Sequence, residues 1–287
     1  MIELGGFKGW NSLESKNFKD EKLTQLCHDF KKNGWVVIEK AIDDATIKKM
    51  SEEIYAYIDS GKAECSYWDE SGKVYGFGTR DDFKKPECKI LDLHYHLDGV
   101  QKAIFNQRLL EFFDAVMESK PNAFQSLYFE YGSGQGAHQD TAFVITEPPM
   151  NLLATWIALE DVQPESGELF YFDKSHNLPH ILFEPSKRKK FDREDPISYR
   201  YSDHLVEQCN ENGFEKLIFR PKKGDVLVWS ADLVHGGEPN LRDVTRRSFV
   251  THYCCEYSRP DFQSTFAPVK LENGCTISRQ NEPQIRY

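Results

Sequence analysis

The chain has 287 residues, 39% hydrophobic and 13% aromatic, and a formal net charge of −10. That length and apolar content suffice for a substantial buried core in one large domain or two small ones. The acidic balance excludes a general nucleic-acid or membrane-surface binder and leaves small-molecule ligands open, because a basic pocket can sit inside an acidic protein.

The first third reads mostly as helix. DEKLTQLCHDFKK (20–32) places Leu23, Leu26, Cys27 and Phe30 on one face at helical spacing. GWVVIEKAI (34–42) reads as a strand, and DDATIKKMSEEIYAYIDSG (43–61) as an amphipathic helix with an aspartate start and a glycine stop. A third helix is expected through DGVQKAIFNQRLLEFFDAVMESK (98–120), with Asp98 as its cap.

After Pro121 the texture changes to short strand-like runs: FQSLYFEY (124–131), NLLATWIALEDV (151–162), GELFYF (167–172), KLIFR (216–220), DVLVWS (225–230) and RRSFVTHYC (246–254). Turn signals such as PESG and KKGD separate them. Strands in series without alternating helices predict an antiparallel sandwich or barrel. The segment 183–215, which contains SKRKKFDREDP, carries no clear strand and reads as a solvated excursion or a lid. Its SKRKK run (186–190) would be solvated, or would face an anionic substrate if the segment is a lid.

Seven cysteines (Cys27, Cys65, Cys88, Cys209, Cys254, Cys255 and Cys275) form no CxxC pair, which speaks against a zinc ribbon or thioredoxin-like site. Cys254 and Cys255 point to opposite faces if their segment is a strand. Reduced thiols in a cytoplasmic protein are expected. The N-terminus lacks the basic start and apolar run of a signal peptide, and no apolar run approaches the roughly 20 residues of a membrane helix.

His-x-Asp occurs at His96–Asp98 and at His138–Asp140, and the pattern is too common to decide anything by itself. The first pair sits at a helix start, where capping explains the aspartate. The second follows the glycine-rich run GSGQG. If extended, it turns an imidazole and a carboxylate to the same side. One further imidazole would complete a two-histidine, one-carboxylate facial set of the kind that suits non-haem Fe(II). His235 is the strongest candidate, after an apolar strand and before Gly236–Gly237, where backbone can approach a ligand closely. Beyond it, alternation puts Arg246, Ser248, Val250 and His252 on one strand face and Arg247, Phe249, Thr251 and Tyr253 on the other. A guanidinium beside a facial metal set is what a chelating oxo-acid co-substrate requires.

With these residues in place, the chain resembles the phytanoyl-CoA dioxygenase family of Fe(II)/2-oxoglutarate oxygenases. His138, Asp140, His235 and Arg246 match its H-x-D…H…R pattern. TWIALEDVQPESGELFYFDKSH (155–176) and HGGEPNLRDVTRRSFVTHY (235–253) resemble its later segments. The similarity is recognisable over roughly 120–255 and weaker before it.

The resemblance implies a mainly β fold with flanking α: a double-stranded β-helix (jelly-roll, cupin-like) core over about 121–256, N-terminal helices over about 1–120, and one domain across 1–287. It implies Fe(II) on His138, Asp140 and His235, the distal carboxylate of 2-oxoglutarate on Arg246, and O2 as the other co-substrate. Trp156 occupies the family's tryptophan position near the co-substrate. Gln125 and Ser248 are candidates for the same pocket from facing direction alone.

Two departures stand out. The serine or threonine that many members carry two residues after the distal histidine is Gly237 here, and the proline-glycine before Ser-His is Asp173–Lys174. The carboxylate at Asp140 favours hydroxylation, or a related oxidation, over the halogenation of relatives with Gly or Ala there. The competing readings are a cupin-like metalloenzyme that uses no 2-oxoglutarate, a non-catalytic jelly-roll binding protein, and a hydrolytic zinc site. The expected partner is a small-molecule substrate, with no nucleic acid or membrane. Neither the substrate nor the oligomeric state is legible.

Overall fold

The computed structural model describes residues 7, 10–148, 151–183, 195–261 and 267–279. Helix α1 (Glu21–Asn33) starts where the Asp20 side chain accepts from the Lys22 and Leu23 amides, and stops at Gly34. At φ +81, Gly34 takes the left-handed C-cap conformation that favours glycine. Strand β1 (Trp35–Ile38) follows, then α2 (Asp44–Asp59), capped by Asp43.

The stretch after α2 departs from the helical expectation. It forms a hairpin of β2 (Glu64–Asp69) and β3 (Gly72–Phe77), followed by β4 (Lys89–Leu91). Aromatic and β-branched residues flank a tight turn ending at Gly72, φ +113, and this is hairpin chemistry. The helix expected over 98–120 is two: α3 (Asp98–Ile104) and α4 (Gln107–Met117). Asn106 breaks the run by accepting from the Arg108 and Leu109 amides. Asp98 does not cap: it is the first helical residue, and Leu97 holds the cap position without a side-chain bond.

The core strands are β5 (Pro121–Phe129), the short β6 (Thr146–Glu147), β7 (Leu152–Ala158), β8 (Leu169–Phe172), β9 (Lys216–Phe219), β10 (Val226–Ser230), β11 (His235–Gly237) and β12 (Ser248–Cys255). The large sheet runs β1-β10-β7-β12-β5-β4-β2-β3, with each of these neighbours antiparallel. A smaller antiparallel sheet, β11-β8-β9, faces it.

Alternation sorts the side chains. Phe249 and Tyr253 of β12 enter the core beneath α1–α4, where Tyr253 packs at 4.7 Å from Phe113. Val250, with Trp156, Leu227, Trp229 and Phe129, points the other way, against Leu169, Tyr171 and Phe219 of the small sheet. The result is a β-sandwich of the double-stranded β-helix type, with helices on the outer face of the large sheet. Cys254 and Cys255 fall into separate clusters on opposite faces, and all seven cysteines are buried thiols outside any disulfide.

Within 183–215, residues 184–194, which include SKRKK, lie outside the described residues. The remainder is not a solvated excursion. A turn at Pro196–Arg200 leads into α5 (Tyr201–Glu211), whose Tyr201, Leu205 and Cys209 pack on Phe170 and Phe172, on the outer face of the small sheet.

Candidate active site

His138 and His235 form an isolated antiparallel bridge, with reciprocal N–H to carbonyl bonds of 2.8 and 2.9 Å. The bridge sets the two imidazoles side by side, ring centroids 4.3 Å apart. Gln139 is extended at φ −108, so Asp140 emerges on the same side as His138; the chain then turns into a 3₁₀ segment, Asp140–Ala142. One ligand atom from each of His138, Asp140 and His235 lies within 4.8 Å of the others.

The surrounding bonds determine which atoms face inward. His138 Nδ1 donates to the Gly136 carbonyl and His235 Nδ1 to the Leu233 carbonyl, both at 2.9 Å. Each ring therefore turns its Nε2 inward, at 3.8 and 3.5 Å from Asp140 Oδ1. Trp229 Nε1 donates to Asp140 Oδ2 at 2.8 Å, leaving Oδ1 to the histidines.

Electrostatics agree with this arrangement. Burial, then the neighbouring His235, pushes the His138 pKa down to about 3, so the ring is neutral at physiological pH. Burial works against ionisation of Asp140, but His235, His252 and His138 outweigh it and hold the carboxyl below its ordinary range. Two imidazole Nε2 atoms and one carboxylate oxygen, each oriented by a second bond, fit a divalent iron with positions left open.

Arg246 stands further along the same cavity, 2% exposed. Its Nε donates to the Gly167 carbonyl at 2.9 Å and its Nη1 to Ser248 Oγ at 2.6 Å. Its guanidinium carbon lies 5.2 Å from the Trp156 ring. Burial lowers its pKa to about 10, against the pull of Glu168 and Glu160, and it remains charged at neutral pH. Among the described residues no carboxylate comes within 4.0 Å of it. A buried cation held only by neutral groups is a binding site for an anion.

Of the seven expected residues, the structure sets His138, Asp140, His235, Arg246 and Trp156 in the cavity wall, and Ser248 behind it as the partner of Arg246 Nη1. Gln125 shares their sheet face but lies opposite His252 in register and is not among the residues lining this cavity. Sequence reasoning missed Trp229, although its alternation with Leu227 signals a cavity-facing indole. It left His252 undecided; that ring is buried, with Nε2 at 3.3 Å from Asp140 Oδ1. A larger groove of about 660 Å³ lies elsewhere, between α2 and the segment after β7; it is open to solvent and contains no such ligand set.

A double-stranded β-helix holding two histidines and a carboxylate beside a buried arginine defines an Fe(II)/2-oxoglutarate-dependent oxygenase. Comparison with known proteins gives the family. The pattern of the phytanoyl-CoA dioxygenase (PhyH) family matches residues 30–248, and the chain belongs to that family. The match begins well before the stretch from about 120 where the resemblance was recognisable.

Similar curated proteins include phytanoyl-CoA dioxygenase 1 of rice (Oryza sativa subsp. japonica), 29% identical across 58% of this chain and 59% of that protein. A phytanoyl-CoA dioxygenase domain-containing protein 1 homolog of Caenorhabditis elegans is 24% identical across 80% of this chain and 90% of that one. Thus the chain spans about three-fifths of the rice relative's length. Among solved structures, the epimerase SnoN from nogalamycin biosynthesis, in complex with Fe3+, alpha ketoglutarate and nogalamycin RO, superposes with a TM-score of 0.62 at 18% identity, covering 88% of this chain and 94% of that one. EctD from S. alaskensis with 2-oxoglutarate and 5-hydroxyectoine gives 0.55 at 14% identity, covering 85% and 80%. At these identities the structures speak for the fold.

Proposed function

We propose that this chain hydroxylates an unactivated C–H bond of a small-molecule metabolite, with His138, Asp140 and His235 holding Fe(II). Arg246 would bind the distal carboxylate of 2-oxoglutarate, with Ser248 and Trp156 fixing the guanidinium. The observation that carries this reading is the buried, carboxylate-free Arg246 in the same cavity as the three ligand atoms.

When bound, Fe(II) with 2-oxoglutarate and O2 supplies oxidative decarboxylation to succinate and CO2, coupled to oxygen insertion into the substrate. The chain's own groups do the rest. The Nδ1 bonds to the Gly136 and Leu233 carbonyls keep both histidines in the ligating tautomer. Trp229 holds Asp140 to one inward oxygen, and with Fe(II) bound that carboxylate would serve as a ligand where halide chemistry would need an open place. The apolar walls of Leu127, Phe129, Leu169 and Val250 exclude water from the reacting centre.

The substrate is taken to be a small molecule because the cavity is enclosed by two packed sheets. No helix among the described residues is long and apolar enough to cross a membrane. Seven buried thiols outside any disulfide support a reducing, cytoplasmic setting. The test is a metabolite screen with iron and 2-oxoglutarate, scoring succinate release together with a product one oxygen atom heavier than its substrate. Stimulated succinate release with no oxygen gained by any compound would count against hydroxylation and for another oxidation.

A further inference from the structure

The glycine-rich run GSGQG has a place in this site. Gly132, at φ +90, lies against Arg246: a Cβ on it would come within 2.9 Å of Nη2 and 3.1 Å of the Gly167 carbonyl that Arg246 Nε uses. Only a residue without a side chain lets the loop lie flat on the guanidinium. Three residues on, the loop is tied to β11 by the Gly237 amide, which donates to the Gln135 carbonyl at 2.8 Å.

Between these two anchors sits Ser133. A Cβ on Gly237 would lie 2.6 Å from Ser133 Oγ and 3.1 Å from the Gly134 nitrogen. The space that a side chain at 237 would fill is therefore already taken by a hydroxyl arriving from the opposite strand connection. Ser133 Oγ accepts from the Gln135 amide at 3.3 Å, and its own hydrogen has no acceptor among the described residues. Ser133 lines the same cavity as Arg246, His138 and His235. A hydroxyl donor that lines the cavity of a buried, carboxylate-free guanidinium, one residue from the Gly132 that lies against it, is matched to the second oxygen of an anion bound there.

We propose that Ser133 donates this hydroxyl to the 2-oxoglutarate carboxylate held by Arg246, doing from the Gly132–Gln135 loop what Gly237 cannot. Ser133 is thus a co-substrate-binding residue, and Gly237 is bare because a side chain there would expel it. This inference rests on the assignment of the cavity to Fe(II) and 2-oxoglutarate.

The experiment is an anaerobic titration of Fe(II)-loaded protein with 2-oxoglutarate, followed by the visible charge-transfer band of the chelate. Fe(II) affinity and the ligand-free melting temperature are measured alongside. Ser133→Ala is expected to raise the half-saturating 2-oxoglutarate concentration about ten-fold, the scale of one hydrogen bond to a charged group. Its Fe(II) affinity stays parental, and Ser133→Thr, which keeps the hydroxyl, stays near the parent. Gly237→Ala reaches the same spot from the other side and is expected to weaken 2-oxoglutarate comparably, so the test stands even if one variant folds poorly. Parental 2-oxoglutarate affinity in a folded Ser133→Ala overturns the proposal, as does a loss confined to melting temperature. A parent protein that binds iron but shows no band with 2-oxoglutarate overturns the underlying reading of the cavity, and this proposal with it.

Discussion

Trp229 Nε1 donates to Asp140 Oδ2 at 2.8 Å, and that bond turns the other carboxylate oxygen toward both histidines. The indole reaches this point from β10, where Trp229 is paired on both sides, with Trp35 of β1 and Ala154 of β7. A rigid sheet position therefore aims the acidic ligand.

Trp229→Phe keeps most of the packing and removes the donor. Asp140 becomes free to rotate, and Fe(II) affinity is expected to fall about ten-fold or more, the usual scale for losing a bond that orients a metal ligand. Competition with a chelator measures it. Parental affinity would mean that the bridge of His138 and His235 organises the site unaided.

Arg246→Met separates stability from binding. Replacing a buried, uncompensated cation with an apolar side chain of similar length is expected to leave the ligand-free melting temperature level or higher. The stabilisation that 2-oxoglutarate gives the Fe(II)-loaded parent should vanish. Thermal melts with and without 2-oxoglutarate read both quantities, and a variant still stabilised by it would remove Arg246 from the binding site.

Gly236 has little room for a side chain. A Cβ there would lie 2.5 Å from Phe170 Cζ and 2.8 Å from the Gln135 carbonyl. The ring can swing away but the carbonyl belongs to the loop backbone, so Gly236→Ala is expected to cost about 1–3 kcal/mol. Because β11 carries His235, iron affinity should fall as well. Chemical denaturation and a metal titration on the same sample test the pair of effects.

A pH effect comes from outside the site. His94 is fully buried, its Nδ1 2.8 Å from Ser126 Oγ and its Nε2 donating to the Ser278 carbonyl at 2.8 Å. Burial, with Arg279 nearby, pushes its pKa down to about 4, although the bond to Ser278 opposes the shift. The folded state keeps the ring neutral while the unfolded chain takes up a proton below its ordinary value near 6.5. The contribution of His94 is thus fully present above about pH 6.5 and is lost as pH falls toward 4, up to about 3 kcal/mol. Denaturation midpoints across that range should slope less in His94→Gln than in the parent. Equal slopes would assign the acid sensitivity to other groups.

Much of this was legible because strand alternation is a local rule. In RRSFVTHYC it correctly separated Arg246, Ser248 and Val250 from Phe249 and Tyr253, since β12 lies in the middle of the large sheet with a different layer on each side. His138 and Asp140 converge for the same reason, one extended residue apart. The same rule placed Gln125 on the right face but could not say how far along that face the cavity extends.

What was not legible depends on contacts between distant segments. Nothing near Asp140 announces Trp229, and nothing in GSGQG announces Gly237, because each pair meets only after the sheets close. The hairpin of β2 and β3 was passed over beside stronger helical patterns. The split at Asn106 was hidden because α3 and α4 share one continuous apolar texture.

The most direct test of the central claim is an anaerobic spectrum of the Fe(II)-loaded protein with 2-oxoglutarate. It is recorded for the parent, His138→Ala and Arg246→Ala. The account predicts a visible charge-transfer band in the parent, its loss in His138→Ala, and a far higher 2-oxoglutarate requirement in Arg246→Ala. A folded, iron-loaded parent without the band, or a band indifferent to Arg246, would contradict it.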